Sequence, residues 1–160
     1  ITLDDIYSVH PFGNTMCVIR VTGQQVLDAL EWGARAVPSE NGGFLQVSGL
    51  TYEIHTGIAS SAEKDENGMF TRVSGEYRVK NVMVGGQPLE LDKTYTLASH
   101  NYMLLGHGDG YTMFDGCEVL GEDMMVDNQV LITYITTTLG GVVGEQYANP
   151  YGDGRIVAVE

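Results

Sequence analysis

The residue types able to do chemistry gather in one stretch, HNYMLLGHGDGYTMF, at positions 100–114. Tyr102 stands seven residues ahead of Asp109, and Gly106, Gly108 and Gly110 surround the acid. A second motif, PFGNT at 11–15, sets Phe12 between Pro11 and Gly13, with Asn14 next, at the mouth of an expected strand. Taken singly, a loop aromatic of this kind is an ordinary turn cover. Two such rings and a carboxylate in loops at strand ends describe something more specific: a flat ligand held between the rings, with its hydroxyls on the acid.

Other chemistries find little support. The histidines are His10, His55, His100 and His107. None forms His-x-x-x-His or lies at ligand spacing from Cys or an Asp pair, so each reads as a structural or surface histidine. His107 precedes Asp109 by two residues, but two groups in a glycine-rich loop are too few for a metal site. No Gly-x-Ser-x-Gly elbow and no Walker sequence occurs, and GHGDG lacks the spacing of a dinucleotide fingerprint. The carboxylates are plentiful but scattered, so no catalytic residue is assigned. Cys17 and Cys117 form no Cys-x-x-Cys and no metal spacing; two buried thiols or one disulfide both fit.

The elements that must position these residues follow from patterning. A chain of 160 residues reads as a single compact domain able to bury a core. Its net charge of −13 repels nucleic acid and anionic membranes, and no apolar run is long enough for membrane insertion. It opens at Ile1 without a starting Met or a signal peptide, which reads as a mature product or a piece of something longer. Thr2 caps a short helix stopped by Pro11, with Asp4 and Asp5 in its first turn. Residues 16–21 form a strand. Thr22 and Gln25 make a capping box for the clearest helix, whose Val26, Leu27, Leu30, Ala34 and Val37 face inward and which Pro38 closes.

Beyond it, a strand is expected at LTYEIHT and a surface loop from Gly57 to Gly68. RVSGEYRVKNVMV, GGQPLELD and KTYTLAS read as strands, with a tight hairpin at Gly85-Gly86. DNQVLITYITTTL reads as a second main helix, capped by Asp127, with Val130, Leu131, Tyr134 and Ile135 inward; GRIVAVE closes as a strand. The class is α+β, a mixed β-sheet packed with two main helices.

Four blocks now carry a resemblance: ITLDDIYSVHPFGNT…VTGQQVLDALEWG, GGFLQVSGLTYEI, KTYTLASHNYMLLGHGDGYTMF and VLITYITTTLG…GRIVAV. In this order they resemble the C-terminal, substrate-specificity domain of the 5′-nucleotidase/UDP-sugar hydrolase family, over essentially residues 1–160. The resemblance implies a nucleoside-binding domain. Its partner is an N-terminal metallophosphoesterase domain of the same parent chain, which supplies two divalent metal ions and cleaves the phosphate; this chain has no counterpart of it. Phe12 and Tyr102 correspond to the aromatics that sandwich the base, and Asp109 to the carboxylate that holds the ribose hydroxyls. Gly13, Asn14, Gly108 and Gly110 belong to the same two motifs. An Asn-Gly-Gly-x-Arg motif is expected just upstream of Ile1. The family implies a nucleotide or nucleoside ligand, no cofactor bound by this domain, and an extracellular, cell-wall or periplasmic location. A non-catalytic module for nucleosides or sugar nucleotides is the alternative.

Overall fold

The computed structural model describes residues 1–160. Its first helix, α1 (Leu3–Val9), begins where Thr2 accepts a hydrogen bond from the Asp5 amide while Asp5 reaches back to the Thr2 amide. The strand β1 (Met16–Thr22) buries Cys17, Ile19 and Val21 in alternation, as a half-covered strand requires. Thr22 then caps α2 (Gly23–Ala34) through the reciprocal bonds with Gln25.

The strands divide among three sheets. β1 is central in the first, between β7 (Thr94–His100) and β8 (Glu118–Gly121), with both pairings antiparallel. The second sheet runs in the order β6 (Gln87–Pro88), β5 (Val79–Val84), β2 (Leu50–His55), β9 (Ile156–Val159). It is mixed, because β2 pairs with β5 antiparallel and with β9 in parallel. The third is a ribbon of β3 (Ala62–Lys64) and β4 (Phe70–Val73). α3 (Asn101–Leu104) follows β7 directly, and α4 (Asp127–Thr133) lies between β8 and β9. The α+β class holds, with helix α2 packed over the core. That core includes Ile19, Val21, Leu30, Trp32, Ile54, Val79, Leu104, Tyr111 and Phe114.

Several expectations are corrected. Part of the Gly57–Gly68 segment forms β3, held by Ser74 donating to the Ser61 carbonyl at 3.0 Å. The expected strand over 72–84 is two strands, β4 and β5, broken around Gly75. α2 ends at Ala34, before Pro38, and leaves Val37 outside it. α4 starts from Val126, not from an Asp127 cap; the Asp127 carboxylate accepts instead from the Asn128 amide at 2.7 Å. α4 buries none of its residues, and it widens into a π-helical turn over Tyr134–Thr138. The Gly85-Gly86 hairpin is present, pairing Val84 with Gln87. Both cysteines are free thiols, Cys17 buried and Cys117 partly so.

No helix is long and apolar enough to cross a membrane.

Candidate functional site

The site grows from one end of the first sheet. The β1–β7 ladder finishes at the pair Met16 and His100. One residue beyond, the Asn101 amide donates to the Thr15 carbonyl at 2.8 Å, and the Thr15 amide donates to Asn101 Oδ1 at 3.1 Å. These bonds satisfy main-chain groups that the sheet leaves unpaired at its end. They also lash PFGNT to the start of α3, so the two aromatic motifs leave the sheet side by side. Phe12 is 84% exposed and Tyr102 48% exposed, so neither ring is sealed in the interior. Gly13 is exposed beside Phe12, and Asn14 is half-buried, its carbonyl accepting from the Asp127 amide at 2.8 Å.

Tyr102 lies against the glycine-rich turn. A Cβ on Gly108 would fall 2.2 Å from Tyr102 Cε1, so only glycine admits the ring there. Asp109 follows with φ 54° and ψ 18°, a left-handed conformation that Asp tolerates better than most residues. The Trp32 indole N–H donates to the Asp109 carbonyl at 2.9 Å and holds the turn onto α2. Gly110 has φ 85°, and a Cβ on it would meet Trp32 Cζ2 at 2.8 Å. Both backbone conformation and close approach therefore require glycine at 110. His107 is engaged elsewhere, its Nε2 lying 3.6 Å from Asp115 Oδ1. That leaves the exposed Asp109 carboxylate free of an ion pair with it.

Sequence patterning missed three contributors. The loop Asn41–Phe44 reaches Asp109, whose Cβ would stand 3.0 Å from a Cβ on Gly43. Tyr111, fully buried, fixes that loop by donating to the Gly43 carbonyl. Arg35 lies 3.7 Å over the Trp32 ring, and burial holds its guanidinium below the usual arginine range while Tyr111 and Asp109 oppose that shift. The Asn-Gly-Gly turn at 41–43 is a visible signal, but only the fold shows what it meets.

A second grouping lies behind Tyr102. His10, His100 and Asp127 line a cavity of about 420 Å³ with Met16, Val130 and Leu131. His10 Nδ1 stands 3.7 Å from Asp127 Oδ2. His100 caps α3, its Nδ1 accepting from the Met103 amide at 3.3 Å. Its ring stacks on Tyr102, with centroids 5.9 Å apart and planes at 28°. Burial lowers the His100 pKa, and the charges of Asp127 and Asp109 partly offset this. No group of three or more His, Cys, Asp or Glu side chains is arranged to hold a metal ion.

The family model described as "5'-nucleotidase, C-terminal domain" matches residues 1–116. The trifunctional nucleotide phosphoesterase protein YfkN of Bacillus subtilis is 32% identical over 159 residues, covering 99% of this chain and 10% of that protein. A 5′-nucleotidase of Vibrio cholerae is 30% identical over 135 residues, 84% of this chain and 20% of that protein. Among solved structures, a 5′-nucleotidase precursor from Thermus thermophilus superposes with a TM-score of 0.78 at 30% identity, covering 99% of this chain and 28% of that one. The chain thus spans a small fraction of the length of the curated relatives it matches. It belongs to the 5′-nucleotidase C-terminal domain family.

Proposed function

We propose that this chain is the substrate-recognition domain of a nucleotide-hydrolysing phosphoesterase. Phe12 and Tyr102 stack the base, and Asp109 accepts hydrogen bonds from the ribose hydroxyls. Gly13 and Asn14 shape the Phe12 side, and Gly108 and Gly110 let the backbone approach. The observation that carries this reading is the emergence of two exposed rings from one sheet end, beside an exposed carboxylate on a turn fixed to α2. Base–aromatic stacking contributes about 1–3 kcal/mol per base and tolerates any base, since each has a π-face. A carboxylate accepting both ribose hydroxyls contributes about 1.5–3 kcal/mol and selects ribose over deoxyribose.

Phosphate cleavage belongs to a metallophosphoesterase domain of the same parent chain, where two divalent ions bind the phosphate. Holding the nucleoside here and the phosphate there turns remote binding energy into orientation at the reacting centre. It also explains how so acidic a domain can serve an anionic substrate. One relative is named a cell wall protein, from Listeria monocytogenes, and this supports a location outside the cytoplasm.

The test is steady-state kinetics of the parent enzyme with AMP. Phe12→Ala is expected to raise KM by roughly 5- to 160-fold, the equivalent of the lost stacking. Unchanged KM and kcat would remove the stacking role.

A further inference from the structure

His100 sits behind Tyr102 and is tied to it twice. It is the residue immediately before α3, and its ring stacks on the Tyr102 ring. Its Nδ1 accepts the Met103 amide hydrogen, so that nitrogen carries a lone pair and the imidazole proton is on Nε2. α3 has four residues, and Tyr102 is the second of them. So short a helix has little cooperativity of its own, and its first turn depends on that cap.

We propose that His100 is a positioning residue for Tyr102: its neutral ring caps α3 and backs the tyrosine, and protonation at Nδ1 sets donor against donor and releases that wall. The consequence for ligand rests on the base-stacking reading above; the mechanical coupling does not. Deprotonated, His100 offers Nδ1 to Met103. Protonated, it has two N–H donors and no acceptor, and the Met103 amide loses its partner.

The groups facing His100 set where this happens. Asp127 at the start of α4 and Asp109 on the following turn attract a proton onto it. His10, beyond α1, opposes protonation, and Tyr134 of the π-helical turn lines the same cavity. Burial is the largest influence and keeps His100 neutral below the ordinary histidine range. The switch therefore operates on the acidic side of that range, and Tyr102 is locked at neutral pH.

The test is an NMR titration of the 160-residue chain from about pH 8 to about pH 5, a window that brackets an ordinary histidine. The His100 ring, the Met103 amide and the Tyr102 ring are followed together. All three are expected to shift with one midpoint, below that of an exposed histidine. Tyr102 resonances that stay fixed while His100 titrates would overturn the proposal.

Two variants remove the titrating imidazole while each keeps one of the two ties. His100→Asn keeps a good capping residue and loses the ring. His100→Phe keeps a ring and loses the cap. Neither titrates, so both are expected to abolish the pH response of Tyr102; a response that persists in His100→Asn overturns the proposal. Adenosine is then added to the wild-type chain at both ends of the range. Affinity about fivefold weaker at the acidic end, the equivalent of a lost N-cap, is expected. If Tyr102 follows His100 but adenosine causes no shift in Tyr102 or Phe12 at any pH, the positioning role stands and the base-stacking reading falls.

Discussion

α2 and α4 carry the same kind of sequence signal and meet different fates. α2 buries Val26, Ala29, Leu30, Glu31, Trp32 and Ala34, and its far end holds the Asp109 turn through Trp32. α4 buries nothing. Its Leu131, with Tyr134 and Ile135 of the π-helical turn, lines an open apolar groove of about 320 Å³ shared with Ile6 and Val9 of α1. Apolar periodicity says which face of a helix prefers to leave water, but not what covers it. The covered helix is also the one that fixes the site, and rigidity there follows from burial on several sides.

The contrast can be broken most directly by truncation. Trp32→Ala should cost about 3–5 kcal/mol in a urea unfolding curve, because it opens a cavity and strips the Asp109 carbonyl of its donor. Leu131→Ala in α4 should cost about 1 kcal/mol. Equal losses would mean that the α4 face is as well packed as α2. Gly110→Ala follows, at about 1–3 kcal/mol, since a Cβ at φ 85° meets the Trp32 ring. Thermal unfolding would read the loss, and an unchanged midpoint would show that neither the φ of Gly110 nor its contacts with Trp32 and the Gly68 carbonyl constrain that position.

A smaller effect depends on pH. Glu31 is fully buried in α2, with one carboxylate oxygen accepting from the Val79 amide at 2.9 Å and the other without a partner. Burial raises its pKa, against the Val79 and Arg78 amides and the Arg78 charge. The folded value lies above the unfolded one, so the contribution of Glu31 is full below the unfolded value and declines as pH rises through the folded value. Unfolding free energies of wild type and Glu31→Gln should therefore diverge as pH rises from the acidic side, to the disadvantage of wild type. Parallel curves would count against an ionising Glu31. The smallest expected pair concerns helix starts. Thr22→Ala should cost about 1 kcal/mol, whereas Val126→Ser should gain up to about that much by supplying α4 with the cap it lacks.

Local chemistry was readable wherever the partners are close in sequence. Thr2 with Asp5, Thr22 with Gln25, and the Gly85-Gly86 hairpin all close within a few residues. The strand β3 was hidden because Ala62-Glu63-Lys64 shows no apolar alternation; its pairing with β4 supplies the order that its composition does not. β8 likewise escapes notice, since Glu118–Gly121 is too short to show a period. The burial of Glu31 in α2 has no local signal, because the Val79 amide it accepts from lies 48 residues away. In the candidate site both rings are exposed, but only Phe12 lies in a loop; Tyr102 sits in the short helix α3, which the glycine-rich sequence around it hides. The meeting of Asp109 with Gly43 and Trp32 spans contacts 66 and 77 residues apart, which no local pattern encodes.

The parallel pairing of β2 with β9 has a consequence for how a nascent chain matures. Tyr52 to His55 emerge from the ribosome about a hundred residues before Ile156 to Val159, their partners in register. Throughout that interval one flank of β2 presents unsatisfied amides and carbonyls to any other extended polypeptide. Deletion of residues 156–160 would make this temporary vulnerability permanent. Such a deletion variant should collect as inclusion bodies while its candidate ligand residues remain intact.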